Sequence, residues 1–265
     1  MLARSLLVLP LVFPAFTLAD TLTSDPFTMT FIVGNPTLPT GYTPPGTAIA
    51  YPTHVDIGFP VVDEGSGLEF EPHFHDETNN AEYGPDEAHM VLNYTANRPA
   101  GSQWDFIGVG AGDLFYYIDP TPPNSSNQYP YLGWATEESQ DVINANGLEA
   151  WLTGDSRAPG SGFWHKLSLL DVTGADGAVA PGDLSVWTTS FGTPIPWFST
   201  FDGGITDADA LFIQGATHAH YGVGFSDPGV YEITFQGQTQ VVPEPASFAA
   251  IGLGMMALLK RRRRA

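Results

Sequence analysis

Ser226-Asp227-Pro228-Gly229-Val230-Tyr231-Glu232-Ile233-Thr234-Phe235 is the stretch whose reading decides the fold. Pro228 fixes φ and Gly229 tolerates φ > 0, so the first four residues read as a turn. Beyond it, Tyr231, Ile233 and Phe235 alternate with Glu232 and Thr234, the two-residue period of a strand with one face in the core. Working outward, similar runs rich in Val, Ile, Phe, Tyr, Trp and Thr occupy 27–33, 54–59, 67–75, 88–94, 113–118, 162–170, 184–189, 210–214, 218–225 and 229–236. Most of the 29 glycines and 23 prolines fall between these runs as punctuation. Strands at this spacing predict an all-β chain folded as a single β-sandwich, Ig-like or jelly-roll-like. One short helix is expected over 136–145, with Thr136 as N-cap, Glu137 and Glu138 at its positive end, and Asn146-Gly147 as its stop.

The two ends of the chain read as processing signals. Residues 1–19 carry one cation (Arg4), an apolar stretch over 6–18 and Thr17-Leu18-Ala19 before Asp20, the form of a secretory signal peptide cut by signal peptidase. At the other end Val242-Pro243-Glu244-Pro245 leads into an apolar run over 246–259, followed by Lys260-Arg261-Arg262-Arg263-Arg264. That run is shorter than the roughly 17–25 residues of a comfortable span, and the flanking cationic stems can snorkel to lengthen it. Five terminal cations hold that end on the cytoplasmic side. The arrangement resembles the PEP-CTERM sorting signal of Gram-negative bacteria. The resemblance implies export, transient anchoring in the inner membrane through a helix over 246–259, and processing by an exosortase, with Val242, Pro243, Glu244, Pro245, Arg261 and Arg262 as processing residues. The expected organisation is a signal peptide over 1–19, a β-sandwich surface domain over 20–241 and a sorting signal over 242–265. The final location expected is the cell surface or the extracellular matrix.

Removing both signals leaves three cations, Arg98, Arg157 and Lys166, against 28 of the 29 acidic residues, a net charge of −25. So acidic a surface repels nucleic acid and attracts cations. There is no cysteine, which excludes thiol catalysis, Cys-ligated zinc and Cys-ligated iron–sulfur clusters.

Five of the seven histidines form a pattern. His73-Phe74-His75 and His218-Ala219-His220 are His-x-His pairs, and His54-Val55-Asp56 repeats the spacing. On a strand, i and i+2 side chains share a face about 6–7 Å apart, close enough for two imidazoles to grip one ion. Neutral imidazole suits zinc, copper, nickel or iron; a mixed set of imidazoles and carboxylates most resembles zinc chemistry, with calcium a weaker alternative. The candidate metal ligands are therefore His54, Asp56, His73, His75, His218 and His220. The competing reading makes these histidines exposed polar positions alternating with core residues Val55 and Phe74. His89 and His165 stand alone and read as structural.

A second resemblance rests on Thr217-His218-Ala219-His220-Tyr221-Gly222-Val223-Gly224-Phe225 and the turn and strand that follow, which are similar to the signature of the choice-of-anchor M surface-protein domain. Thr53-His54-Val55-Asp56-Ile57-Gly58, His73-Phe74-His75-Asp76-Glu77, Glu82-Tyr83-Gly84-Pro85-Asp86-Glu87-Ala88, Trp104-Asp105-Phe106-Ile107-Gly108 and Leu132-Gly133-Trp134 extend it over most of 54–235. This chain has Val223 where the family often has Trp. The resemblance implies a surface protein with an interchangeable anchor and, through the transporter components that neighbour family members, a link to metal uptake.

No Gly-x-Ser-x-Gly elbow, His-Glu-x-x-His helix or phosphate-binding glycine loop is present. A non-enzymatic exported surface or matrix protein with a histidine-rich transition-metal site, zinc first, for metal capture or structural use, is the leading expectation. A polysaccharide-binding matrix module is the alternative, with Trp134, Trp151, Trp164, Trp187 and Trp197 as a stacking face for exopolysaccharide; at strand spacing such aromatics more often fill a core. A metal-dependent hydrolase is a third reading. The acidic loops holding Asp171, Asp176 and Asp183, and Asp202, Asp207 and Asp209, depart from calcium-loop spacing and read as turns.

Overall fold

The computed structural model describes residues 19–124 and 128–242. The signal peptide over 1–19, but for its last residue, lies outside the described residues, as do the membrane helix over 246–259 and the processing residues Pro243, Glu244, Pro245, Arg261 and Arg262. Thr21–Val241 forms one compact unit, and among the described residues no helix is long and apolar enough to cross a membrane.

The chain is all-β, but its strands make three larger sheets rather than one sandwich. The largest is built around the long strand Gly229–Val241, paired with Phe27–Val33 on one side and Trp164–Thr173 on the other. A second sheet runs Thr95–Asn97, Leu114–Ile118, Gly222–Phe225, Leu184–Ser190, Thr193–Ser199, all antiparallel. The third carries five of the seven histidines, in the order His218–His220, Tyr131–Ala135, His54–Gly58, His73–Asp76, Ala81–Tyr83.

The departure from a single sandwich has a local cause. The run over 218–225 is not one strand: the chain changes sheets at Tyr221, so His218–His220 pairs with Tyr131–Ala135 while Gly222–Phe225 pairs with Leu184–Ser190. Tyr221 is buried at this corner, edge-on to Trp197 with ring centroids 5.8 Å apart. Bends of this kind let one chain serve two sheets. The run over 67–75 is likewise divided, into Leu68–Phe70 and His73–Asp76, by Glu71-Pro72. The expected helix over 136–145 is shorter and mixed: a 3₁₀ turn at Glu137–Ser139, then α-helix at Gln140–Asn144.

All three sheets press onto one core. Val55, Ile57, Phe74, Leu132 and Trp134 supply the inner face of the histidine sheet. Trp134 meets Phe235 of the large sheet at 5.7 Å and Phe198 of the second sheet at 6.2 Å, both edge-on. Phe31 and Phe225 join the other two sheets at 5.5 Å. Each such side chain contributes about 1.5–3 kcal/mol by leaving water. This burial fixes which face of the histidine sheet points inward, and so the register of everything on the other face.

Candidate metal centre

Strand alternation places the five histidines, Asp56 and Glu82 of the third sheet on the face opposite its core side. The pairing register aligns them in rows across the strands. One row runs His220, Gly133, Asp56, His75, Glu82; the next runs His218, Ala135, Gly58, His73; and His54 lies beside Tyr131. Small residues occupy the middle of both rows. A Cβ at Gly133 would collide with the Asp56 carboxylate and stand 3.2 Å from His220 Cε1, and one at Gly58 would collide with the His73 ring. Glycine at these two positions leaves the space into which neighbouring strands direct their polar side chains.

Two groups of donors result. The first surrounds Asp56: His54, Asp56 and His220 bring ligand atoms within 4.8 Å of one another, and Asp56, Glu137 and His218 do the same. Ring centroids are 5.4 Å apart for His54 and His220, 5.3 Å for His218 and His220, and 6.3 Å for His54 and His218. The second group, His73, His75, Glu82 and Glu138, lies along the same face. The structure thus gathers all six residues expected from the sequence onto one face, but divides His73 and His75 from the other four.

Asp56 is the centre of the first group. It is 0% exposed, and neither carboxylate oxygen has a hydrogen-bond partner among the described residues. His54 Nε2, also buried and without a partner among them, stands 3.5 Å from Asp56 Oδ1. Burial pushes the Asp56 carboxyl above the ordinary carboxylate value, with the imidazoles of His54 and His218 pulling the other way. A buried carboxylate facing unpartnered imidazole nitrogen is costly unless something cationic joins them.

The histidines are held in orientations that leave a nitrogen for that purpose. His220 Nδ1 donates to the Leu132 carbonyl at 2.8 Å, and its ring stacks on Tyr131 with centroids 3.9 Å apart. His218 Nδ1 donates to Glu137 Oε1 at 2.6 Å. In both the Nδ1 hydrogen bond fixes the ring's orientation and leaves Nε2 as the nitrogen that can meet an ion, as the outer contacts of metal-bound histidines do. Burial depresses the His220 pKa, which favours the neutral ligand form. Burial also works against His218 as a cation, yet the Glu137 hydrogen bond and the Asp56 charge hold its pKa above the usual histidine value. An ion entering beside His218 would therefore displace a proton.

The carboxylates Glu137 and Glu138 come from the turn that follows the Tyr131–Ala135 strand. That turn is fastened at both ends. Thr136 Oγ1 donates to the Gln214 carbonyl at 2.8 Å and the Thr136 amide to the Thr217 carbonyl at 2.9 Å. Ser139 Oγ accepts from the Val61 amide at 2.8 Å and lies 3.1 Å from His165 Nε2. His165 is wholly buried, and its pKa is pushed down to about 4 by that burial. It is structural, as is His89, whose ring nitrogen bonds the Pro45 carbonyl.

Glu82, Glu137 and Glu138 were not legible as site residues in an acidic sequence. The acidic loops serve as braces: Asp209 accepts from the Ser199 and Thr206 amides, and Asp183 from Thr200 Oγ1. Of the proposed stacking face, Trp134, Trp187 and Trp197 are buried and Trp151 and Trp164 are half-buried.

Residues 241–264 match the PEP-CTERM protein-sorting motif. The motif makes the chain an exosortase substrate, exported and held transiently in the membrane. No curated protein and no solved structure matches the chain.

Proposed function

We propose that this exported protein is a non-enzymatic metal-binding protein of the cell surface or extracellular matrix, whose histidine face captures a first-row transition-metal ion, zinc by preference. The observation that carries this is the environment of Asp56: a fully buried carboxylate without hydrogen bonds among the described residues, which shares one donor group with His54 and His220 and another with His218 and Glu137. Three imidazoles and one carboxylate are the donor number and type of a tetrahedral zinc site, and calcium, which takes six to eight oxygens, fits them poorly. Net negative charge over the exported part raises the local concentration of any divalent cation. Glu137 and the Leu132 carbonyl set the orientations of His218 and His220.

The resemblance of these same histidine segments to the choice-of-anchor M domain supports this reading and suggests a metal-uptake transporter as the recipient of the ion. The polysaccharide alternative loses support because its principal tryptophans are in the core.

Calorimetric titration of the full chain with zinc tests the proposal. Binding that the His218→Ala/His220→Ala double variant weakens at least about a hundredfold is expected, since two of four ligands are lost. A chain that takes up no zinc, or a double variant that binds as the parent does, overturns it. Glycan-array binding that survives the double substitution would favour the matrix-module reading.

A further inference from the structure

We propose that the second donor group, His73, His75, Glu82 and Glu138, is a separate site for a second divalent transition-metal ion. It deepens the metal-capture reading and rests on it for the class of ion, but its ligands are a different set. Donor atoms of all four residues lie within 4.8 Å of one another. The sequence pattern gave no reason to separate His73 and His75 from the other histidines, or to include either glutamate.

The state of His73 carries the argument. Its residue is only 6% exposed, its Nδ1 donates to the Glu71 carbonyl at 2.8 Å, and its Nε2 is buried without a partner among the described residues. The Nδ1 bond settles the tautomer, so Nε2 presents a lone pair into the group. The backbone beneath is Gly58, whose missing side chain leaves room for this ring. Glu138 Oε2 is a second buried atom without a partner among those residues. Its other oxygen stands 3.9 Å from His75 Nδ1, beyond hydrogen-bond range and somewhat wider than the roughly 3.4 Å between two ligands of one tetrahedral ion. The rings of His73 and His75 are 6.2 Å apart at a steep angle, as for two imidazoles converging on a point between strands.

Both centres sit side by side, because Asp56 and His75 are register partners on adjacent strands. Each joins a buried donor to an exposed one, Asp56 with His218 in the first and His73 with Glu82 in the second. The face would then hold two ions.

Zinc stoichiometry of the full chain, measured by titration and by metal analysis after gel filtration, tests this. Two equivalents are expected for the parent and one for the Glu82→Gln/Glu138→Gln variant, whose remaining ion is then lost on adding His218→Ala/His220→Ala. Glutamine preserves size at partly exposed positions, and Glu82→Gln alone, at the exposed edge, should weaken the second ion about tenfold while leaving the thermal transition unchanged. One equivalent in the parent that is abolished by His218→Ala/His220→Ala overturns the second site and leaves the first standing. Two equivalents retained in the glutamine variant overturn the ligand assignment. No uptake at all overturns both centres.

Discussion

Replacing Asp56 by asparagine should have opposite effects on stability with and without metal. In the metal-free chain the Asp56 carboxylate is fully buried and its oxygens have no hydrogen-bond partner among the described residues. An unsatisfied buried polar group costs about 1–3 kcal/mol, and more when charged. An amide in the same place is neutral and can donate to His54 Nε2, which lies 3.5 Å from Oδ1. Asp56→Asn should therefore stabilise the metal-free chain by about 1–3 kcal/mol, raising Tm by about 2–4 °C for each kcal/mol in a domain of this size. Zinc reverses the order. At a hundred times its dissociation constant a ligand adds about 2.7 kcal/mol to the parent, while the variant lacks the anionic donor that neutralises the ion. Thermal melts of both chains, each in chelator and in saturating zinc, give four transitions. A crossing of the two chains between conditions is expected. Equal destabilisation of the variant in both conditions would refute the reasoning, because Asp56 would then be a structural acceptor rather than a ligand.

Gly133→Ala places a methyl group against the Asp56 carboxylate and 3.2 Å from His220 Cε1; overpacking should cost about 1–3 kcal/mol and zinc affinity should fall about tenfold or more, both measurable by melting and titration. His165 has a folded pKa near 4 against an ordinary 6.5, so its contribution is complete above pH 6.5 and is lost as the pH falls toward 4. The loss should reach about 3 kcal/mol; denaturant unfolding across that window should be steeper in pH for the parent than for His165→Gln, and equal slopes would contradict it. Glu137→Gln removes the charge behind His218 and should lower the His218 pKa, read by NMR titration of the metal-free chain, while leaving the fold intact. Glu244→Ala within the matched sorting motif should leave unprocessed chain in the membrane fraction of the producing cell, seen as a larger band on immunoblotting.

The strands with long apolar runs bounded by turn residues were readable from sequence. Phe27–Val33, Ala210–Gln214 and the start of Gly229–Val241 fall where those runs put them. What escaped was the strand Tyr131–Ala135, the middle of the histidine sheet. Glycine and proline disfavour strands, yet at Gly133 a Cβ would collide with the Asp56 carboxylate and stand 3.2 Å from His220 Cε1. Without that strand nothing in the sequence joins His218–His220 to His54–Gly58, which are neighbours only through it. The His-x-His spacing did identify the imidazoles that share a face, since that depends only on strand geometry. It could not separate them into two groups, because the grouping depends on carboxylates from Glu82, Glu137 and Glu138. In a chain with 29 acidic residues, no local pattern distinguishes those three. The single sandwich failed because the chain changes sheets at Tyr221, whose ring packs on Trp197, and no break in the run over 218–225 marks that corner.

The most direct test of the histidine face as a metal centre is an anomalous difference map at the zinc edge from crystals grown with zinc. The account predicts a peak about 2.0–2.2 Å from nitrogens of His54, His218 and His220 and from an oxygen of Asp56. A map with no peak on that face at saturating zinc, with Asp56 still enclosed and the imidazoles in the same orientations, would contradict it.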